Sequence, residues 1–338
     1  MPKSEFWKNI KNNHKENEPF FSLAPMEAVT DTVFRRVVDK ATAPDLFYTE
    51  FVNSTSIIHE KAKFSAAHRL YVDKDEKTPI VQMWGKDPEH FRKSALELKK
   101  QGFQAIDLNM GCPDPTVVKN GGGSGLIKEF DNAAAIIQAT KEAGLPVSVK
   151  TRLGFNTIDD YKEWVPHLLK QDIEVLTIHL RSRKEMSKVD AHYEVIDEII
   201  KMRDEIAPNT LIQVNGDIKS REQGMELYRQ HPGIDGIMIG RGVFENPFVF
   251  DENQDHSQEE MFDLFKMQLD LYDDYIENIG KKRFETLRRF FKIYVRNLPN
   301  AAQYRDQLMQ THTTQEARDI IKQVERDMAE MKDQEEAV

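Results

Sequence analysis

Residues 105–125 read AIDLNMGCPDPTVVKNGGGSG and carry the strongest structural signal in the chain. The run AIDL is typical of a short buried strand. It leads into Asn-Met-Gly-Cys-Pro and then into a glycine-rich segment, and residues 109–125 together hold five of the sixteen glycines. Glycine costs backbone entropy and proline prevents regular pairing, so this segment is poorly suited to packing. We therefore expect a loop that approaches a ligand or moves, with the only cysteine, Cys112, at its start.

Seven further segments share the strand character of AIDLNMG (105–111), and helix-like stretches lie between them, for example at 87–102, 131–144 and 220–230. Strands that alternate with helices predict parallel βαβ units, and eight such units favour a TIM (β/α)8 barrel. No G-x-G-x-x-G follows the first strand, which argues against a Rossmann fold. The other strand segments are FFSLAPM (20–26), LFYTEFV (46–52), PIVQMWG (79–85), PVSVKTRLG (146–154), EVLTIHL (174–180), TLIQVNGDI (210–218) and IDGIMIGRG (234–242).

The length of 338 residues fits one barrel and a smaller partner domain. We predict a polar N-terminal extension at 1–19, a catalytic barrel at 20–250 and an all-helical domain at 251–338. A single cysteine excludes a disulfide framework and suits a reducing compartment. The polar N-terminus and the lack of an 18-residue apolar run predict a cytoplasmic protein that makes no membrane contact. A monomer without a metal site is the default expectation.

Polar groups follow every predicted strand. One such group alone has a structural explanation: Glu50 could cap a helix, Lys150 could extend to solvent, and His179 could be a satisfied core imidazole. In a TIM barrel, however, the active site lies at the carboxyl ends of the strands. All eight ends together therefore predict a site. It comprises Pro25, Met26, Glu27, Glu50, Gln82, Asn109, Cys112, Lys150, Arg152, His179, Arg181, Arg183, Asn215, Gly216, Asp217, Gly240 and Arg241.

Small residues follow the last two predicted strands, in NGDI and IGRG. The corresponding loops of TIM barrels often bind phosphate through backbone N–H groups. Gly216 and Gly240 would let the backbone approach a phosphate, and Arg241 would add positive charge. Lys150 could stabilise the negative charge of a reduced flavin. These features predict a phosphorylated cofactor and are compatible with FMN.

The motifs LAPMEAVTDTVFR, YTEFV, NMGCPDPTVVKNGGGSG, VSVKTRLG, TIHLRSR, NGDI and IGRGVFENP occur in this order. Together they resemble the bacterial-type tRNA-dihydrouridine synthases, strongly over about residues 20–250 and more loosely beyond. The resemblance implies an FMN-containing TIM barrel followed by a helical domain. It also implies that NADPH is used to reduce the C5–C6 bond of uridines in tRNA.

The resemblance also assigns roles by position. Cys112 would donate a proton to C5 after hydride transfer from reduced flavin to C6, and a thiol with a pKa near about 8.5 is mostly protonated at neutral pH. Asn109 and Arg152 would line the uracil pocket, while Lys119, Arg181 and Arg183 would contact RNA. The implied FMN ligands are Pro25, Met26, Glu27, Gln82, Lys150, His179, Asn215, Gly216, Asp217, Gly240 and Arg241.

Some positions depart from the family pattern. Leu180 stands where a glycine usually follows the histidine, Thr116 where lysine is frequent, and Glu27 where a small residue is usual. These departures concern the position of the substrate and the conformation of the loops, since none removes a central catalytic group.

The C-terminal third changes charge abruptly. Residues 251–280 contain ten acidic residues and one basic residue, whereas 281–305 contain eight basic residues and one acidic residue. We expect Arg288, Lys292 and Arg296, spaced by four, to share one helix face and to contact the RNA backbone. The alternative is a solvated amphipathic helix. The inward-facing stripe is predicted to be Phe284, Leu287, Phe291, Tyr294 and Leu298.

Two other functions remain open at this point. An FMN barrel that reduces a free small pyrimidine or enone would need no basic helix. A non-catalytic RNA-binding relative would not need Cys112, Lys150 and His179. A yellow protein whose reduced form is discharged faster by unmodified tRNA than by uridine would separate the favoured function from both.

Overall fold

The computed structural model describes residues 2–12, 17–253 and 255–336. They form two compact units. The first contains the described residues up to Thr32 together with Pro44–Gly242, and the second contains Val33–Ala43 together with the described residues from Val243 onward. Both predicted architectures, the barrel and the helical domain, are present.

The first unit is built on one eight-stranded parallel sheet with the order β1-β8-β7-β6-β5-β4-β3-β2. A parallel bridge between Ser22 and Leu46 joins β1 to the segment that leads into β2, which closes the sheet into a barrel. All eight predicted strands are confirmed, and β2 is the shortest of them. The strands are β1 (Phe20–Leu23), β2 (Val52–Asn53), β3 (Val81–Trp84), β4 (Ile106–Met110), β5 (Val147–Gly154), β6 (Val175–Ser182), β7 (Leu211–Asn215) and β8 (Gly236–Ile239).

Helices connect the strands and continue into the second unit. Local sequence sets their ends: the Asp87 carboxylate accepts hydrogen bonds from the backbone N–H groups of Glu89 and His90, and Pro88 occupies the first helical position. The helices are α1 (Glu5–Asn12), α2 (Thr32–Thr42), α3 (Ser54–Ile58), α4 (Lys63–Leu70), α5 (Pro88–Lys100), α6 (Pro115–Lys119), α7 (Phe130–Lys141), α8 (Tyr161–Leu169), α9 (Ile196–Ile206), α10 (Arg221–Gln230), α11 (Gln258–Asn278), α12 (Glu285–Tyr294), α13 (Ala301–Gln310) and α14 (Thr314–Glu336). None of these described helices is long and apolar enough to cross a membrane.

The interior of the barrel is arranged in layers. Near the amino ends of the strands, apolar side chains such as Phe20, Ile80 and Leu211 pack in one cluster with Trp7. Trp7 comes from α1 and is fully buried. The sequence predicts 1–19 as a polar extension, but the described part of this segment belongs to the barrel unit. The reason is that the apolar residues of α1 face the barrel while its polar residues face outward.

Polar side chains form the layer above this cluster. On one side of the barrel, Ser22 Oγ accepts a hydrogen bond from Gln213 Nε2 at 2.8 Å, and Gln213 Oε1 accepts one from Thr177 at 2.8 Å. On the other side of the barrel, Asp107 accepts from Ser148 at 2.6 Å and from Gln82 at 2.7 Å. Each of these side chains is fully buried, so their hydrogen bonds offset the cost of burying polar groups.

The second unit contains α2 and α11–α14. The Ser257 side chain and the Glu260 side chain form a reciprocal capping box at the start of α11. Aromatic packing forms the core: the ring centroids of Phe265 and Tyr294 lie 4.7 Å apart, and those of Phe34 and Phe290 lie 4.4 Å apart. Phe34 is on α2, so the helical unit takes a segment from within the predicted barrel range 20–250.

Candidate active site

The carboxyl ends of β5, β6, β7 and β8 bring several predicted residues together. Lys150 Nζ lies 3.3 Å from Asn215 Oδ1, and Asn215 Nδ2 donates to the Met238 carbonyl at 2.8 Å. These bonds fix the Asn215 amide with its oxygen toward Lys150 and its nitrogen toward the backbone of β8. The side chain is thus part of the wall of the site.

The mouth of the barrel carries an excess of positive charge. The pKa of His179 lies well below its usual value because the ring is buried and because Arg152, Lys150, Arg181 and Arg241 are nearby. Its Nε2 lies 3.1 Å from Arg181 Nη1, and arginine only donates, so Nε2 accepts and the neutral imidazole carries its proton on Nδ1. Such a surrounding favours an anion.

Lys150 is strongly affected by the same surrounding. Burial and, to a smaller extent, the neighbouring Arg152 charge lower the pKa of its ammonium group to about 8, while the Asp107 carboxylate opposes the shift. A cation held at this cost is stabilised when an anionic group binds next to it.

One acidic residue at this edge organises two arginines. Asp217 Oδ2 forms an ion pair with Arg181, and Asp217 Oδ1 accepts from Arg241 at 3.2 Å. Asp217 has a φ of +56°, and the preceding Gly216 has a φ of +133°, so a tight left-handed turn presents the carboxylate. Arg181 is only 2% exposed and also donates to the Val189 carbonyl at 2.6 Å. Its burial does not fit the predicted direct contact with RNA, whereas Arg241 is 64% exposed.

A directed chain of hydrogen bonds leads from the buried polar layer to the cysteine. Asp107 accepts from Gln82 Nε2 at 2.7 Å, which turns Gln82 Oε1 toward Asn109 Nδ2 at 2.9 Å. Asn109 Oδ1 must then face the loop, where it accepts from the backbone N–H groups of Gly111 at 3.2 Å and Cys112 at 2.9 Å. Because a carboxylate only accepts, it sets the orientation of both amides.

The segment after Cys112 is more ordered than its glycine content predicts. Ser124 donates to the Cys112 carbonyl through its backbone N–H at 3.0 Å and its Oγ at 2.9 Å. Gly123 has a φ of +54°, and a Cβ there would lie 2.7 Å from the Cys112 carbonyl oxygen, so this close return requires glycine. The segment predicted as a mobile loop contains α6 followed by a 3-10 helix at Gly123–Lys128, which is buried from Gly123 to Ile127.

Cys112 itself is partly buried at the start of this segment. Burial raises the pKa of its thiol above the usual value, and the Asp114 backbone and the Arg152 and Lys150 charges oppose that shift. The thiol is therefore protonated at neutral pH, as a proton donor must be.

Arg152 holds three pieces of backbone together. Its Nε donates to the Gly111 carbonyl at 2.9 Å, and its Nη1 donates to the carbonyls of Ser182 at 3.2 Å and Met186 at 2.9 Å. The side chain is 5% exposed, and burial lowers its pKa to about 10. The prediction placed Arg152 at the wall of a uracil pocket. Its hydrogen bonds make it a brace between the loops after β4 and β6.

The end of β1 contributes differently from the prediction. Pro25 and Met26 are half-buried at the mouth, but the Glu27 side chain forms an ion pair with Arg69 of α4. Glu50 is 4% exposed and accepts from the Ala28 N–H at 2.6 Å, so it supports the β1 loop. Gly240 leaves room here, because a Cβ would meet nothing closer than Ala24 Cβ at 3.5 Å. Leu180, the departure beside His179, is fully buried.

Two predicted RNA contacts of the barrel unit lie at its surface. Lys119 is exposed at the end of α6. Arg183 lies over the Phe155 ring at 5.0 Å, and Lys128 lies over the same ring at 4.4 Å. The result is a basic and aromatic surface at the loops after β5 and β6, which the sequence pattern did not reveal.

The basic segment of the second unit differs from the predicted helix face. Helix α12 ends at Tyr294, so Arg296 lies beyond it and donates to the Phe244 carbonyl at 3.1 Å. Arg288 is half-buried and donates to the Thr311 carbonyl at 2.6 Å, whereas Lys292 and Arg296 are exposed. The apolar side is wider than predicted, since Phe290 and Ile293 are buried as well.

Asp107 was missed, although the sequence contains a signal for it. Six strands carry one polar residue between apolar neighbours, at FSL, VQM, IDL, VSV, LTI and IQV, and these are the residues of the buried polar layer. A polar residue at an inward position of a barrel strand has to be bonded or functional. Among the described residues, no group of three or more His, Cys, Asp or Glu side chains could hold a metal ion.

Fold and site together define an α/β-barrel enzyme with a cationic mouth and a protonated cysteine beside it. Residues 22–332 match the family described as "Dihydrouridine synthase (Dus)". The chain belongs to this family, which confirms the predicted class of enzyme and implies a flavin cofactor.

Individual relatives agree with this membership. The chain is 51% identical over 329 residues to a "Probable tRNA-dihydrouridine synthase" of Staphylococcus aureus (strain COL), covering 97% of this chain and 98% of that protein. It is 50% identical over 322 residues to "Probable tRNA-dihydrouridine synthase 2" of Bacillus subtilis (strain 168), covering 95% and 97%. Among solved structures, 6-hydroxypseudooxynicotine amine oxidase from Pseudomonas geniculata N1 aligns with a TM-score of 0.52 at 11% identity, covering 85% of this chain and 54% of that one. The last similarity concerns the fold alone.

Proposed function

We propose that this protein reduces the C5–C6 bond of uridines in tRNA, with FMN as its cofactor, NADPH as the reductant and Cys112 as the proton donor. The observation that carries the proposal is the position of Cys112. Its backbone is fixed by Asn109 at the end of β4, and Lys150 and Arg152 are close enough to act on its charge. A thiol that burial keeps protonated thus borders the cationic mouth.

The residues at the mouth fit a flavin with a phosphate. Arg241 is exposed, Gly240 leaves its surroundings open, and the positive charge around His179 would be balanced by the phosphate. Lys150 would lie where a reduced flavin carries negative charge. Gln82 has its amide oriented by Asp107 and Asn109, and it would present a fixed group to the ring system.

The cofactor and the protein would supply different parts of the reaction. A bound reduced flavin supplies the hydride that C6 of the uracil receives. The chain has to supply the proton for C5, and the Cys112 Sγ–H is the group that it offers at this place. Burial that raises the thiol pKa keeps the proton available until negative charge develops on the uracil.

The names of the relatives support tRNA as the substrate over a free pyrimidine. The exposed lysines Lys119 and Lys292 and the half-buried Arg183 would contact its phosphates. A cytoplasmic location is part of the same proposal, because tRNA and a reduced single cysteine both fit that compartment.

The replacement Cys112→Ala tests the proposal. We expect flavin content and NADPH oxidation to be retained, while dihydrouridine formation on unmodified tRNA falls by about 100-fold or more, since a general acid contributes roughly 10²–10⁴-fold. Mass spectrometry of digested tRNA measures the product. Asn120→Ala, an exposed change in the same segment, serves as the control and should behave as the wild type. Undiminished product from the alanine variant would refute the role of Cys112.

A further inference from the structure

A second cleft lies beside the cysteine segment. It has a volume of about 520 Å³ and opens at the carboxyl ends of β2 and β3, between α4 and α6. Its walls include Phe51, Asn53, Arg69, Trp84 and Thr116. The volume is in the range of roughly 300–1,000 Å³ that small-ligand pockets occupy. None of these five residues belongs to the cationic cluster around His179, but Glu27 of the loop after β1 also lines the cleft, so the cleft borders the mouth of the barrel.

Helix α4, which contributes Ser65 and Arg69 to the cleft, also carries an exposed aromatic ring next to exposed lysines. Phe64, on α4 next to the lining residue Ser65, is 80% exposed. Lys61 and Lys63 flank it and are exposed as well. Burying a phenylalanine is favourable, so a ring left in water is costly unless something covers it. The exposed ammonium groups of Lys61 and Lys63 offer contacts for an anionic partner, beside a cleft whose lining also holds Glu27, paired with Arg69, and Asp114.

The position of the cleft indicates what would cover the ring. Asp114 and Thr116 follow Cys112 by two and four residues, and both line the cleft. An RNA whose target base lies at Cys112 therefore has its neighbouring nucleotides within reach of this cleft. Single-stranded RNA binds through bases stacked on aromatic rings and phosphates next to cations, which are the two kinds of group present.

We propose that this cleft is a subsite for a nucleotide that flanks the reduced uridine, with Phe64 as a stacking platform and Lys61 and Lys63 as phosphate contacts. This inference rests on the proposed function for its choice of RNA. The cleft walls would receive the base, since Trp84 and Phe51 offer apolar surface and Asn53 and Thr116 offer hydrogen-bonding groups. The subsite would let the enzyme favour unpaired over paired RNA, because only a splayed nucleotide can enter.

The test measures the affinity of the flavin-loaded full-length protein for unmodified tRNA at several salt concentrations. Phe64→Ala should raise the Kd about tenfold at every salt concentration, since stacking of one base is worth about 1–3 kcal/mol. Phe64→Trp should restore binding. The double change Lys61→Ala with Lys63→Ala should also weaken binding and should lower the slope of log K against log salt by about 1.4, from about 0.7 per phosphate contact. Thr116→Trp, which fills the cleft from α6, should weaken binding in the same way.

The matched control is the double change Lys100→Ala with Lys170→Ala. Both lysines are exposed and lie at the carboxyl ends of α5 and α8, near the opposite end of the barrel. This variant should bind tRNA as the wild type does. Wild-type affinity in Phe64→Ala would overturn the subsite.

A slower reduction of the flavin by NADPH in Phe64→Ala, with tRNA affinity unchanged, would also overturn it, because the cleft would then bind the dinucleotide. Binding and product formation are separate readouts. Wild-type protein that binds tRNA but forms no dihydrouridine would refute the proposed function and leave the affinity test of the subsite valid.

Discussion

The mouth of the barrel and helix α12 both carry clustered positive charge, but the charges are held in different ways. At the mouth, Lys150 is half-buried and Arg152 is buried, and their pKa values fall to about 8 and about 10 because removal from water penalises the charged form. On α12, Lys292 is exposed, and the half-buried Arg288 donates hydrogen bonds to the Thr311 carbonyl. A buried cluster of one sign persists only where something will bind, whereas an exposed row of cations is stable in water by itself.

The difference matters for interpreting sequence. Both clusters are visible as basic residues in the chain, yet one predicts a ligand much more strongly than the other. The two clusters differ in burial, so substitutions at the barrel mouth should have larger effects than substitutions on α12.

Replacing Lys150 by methionine tests whether the positive charge at the barrel mouth binds the cofactor. Loss of the central cation should weaken FMN binding to the apoprotein by about 100-fold, as an ion pair in a buried site contributes several kcal/mol. Because the pKa of Lys150 is lowered to about 8, the ammonium form that the anion needs is present below pH 8 and is lost above it. Wild-type affinity should therefore fall by up to about tenfold per pH unit above 8, while the variant should stay flat. Anaerobic titration of the apoprotein with reduced FMN, whose ring carries the negative charge, measures both.

The control for this experiment is Lys201→Met, which removes an exposed lysine from α9. It should bind FMN as the wild type does at every pH. A Lys150→Met protein with normal affinity would show that the buried cluster serves stability alone.

Substitution of Asp107 tests whether the buried polar layer of the barrel orients the residues of the site. Asp107→Ala removes the acceptor that orients Gln82 and, through it, Asn109 and Cys112. We expect the single-turnover rate of uridine reduction to fall by about 10–100-fold, since displacement of a catalytic group by about 1 Å can cost that much. Asp107→Asn keeps an oxygen that can accept from Gln82 and should stay within about threefold of the wild type. Equal losses in both variants would assign the effect to the charge of Asp107 and not to orientation.

Charge reversal at Lys292 tests whether the exposed cations of α12 contact tRNA, and it should have the smallest effect of these substitutions. We expect Lys292→Glu to weaken tRNA binding by a few-fold and to lower the salt slope by about one. Its melting temperature should not change, because the side chain is exposed. Arg288→Glu should lower the melting temperature as well, since Thr311 then loses its donor. Lys322→Glu, an exposed change on α14, is the control, and equal binding in all these variants would exclude α12 from the RNA contact.

Much of the architecture could be predicted because it depends on local pattern. Each of the eight strand segments was an apolar run with a polar carboxyl end, and the helix-like stretch predicted at 87–102 corresponds to α5 (Pro88–Lys100). The predictions differ from the structure where packing between residues that are distant in the sequence determines the local conformation. Glycine content predicted a mobile loop after Cys112, but Ser124 and Gly123 fold that segment back onto the Cys112 carbonyl. The spacing of four residues predicted a basic helix face that includes Arg296, but α12 ends at Tyr294.

The segment NMGCPDPTVVKNGGGSG illustrates the division between sequence and structure. The sequence by itself determined the barrel, the place of the cysteine at a strand end, and the family, because these follow from residue type and order. Tertiary structure alone decided that Asp107 orients the amides leading to Cys112, that Arg181 is buried, and that Phe64 stands beside a cleft. The physical reason is that hydrogen-bond direction, burial and cavity shape depend on residues far apart in the chain, which only folding brings into contact.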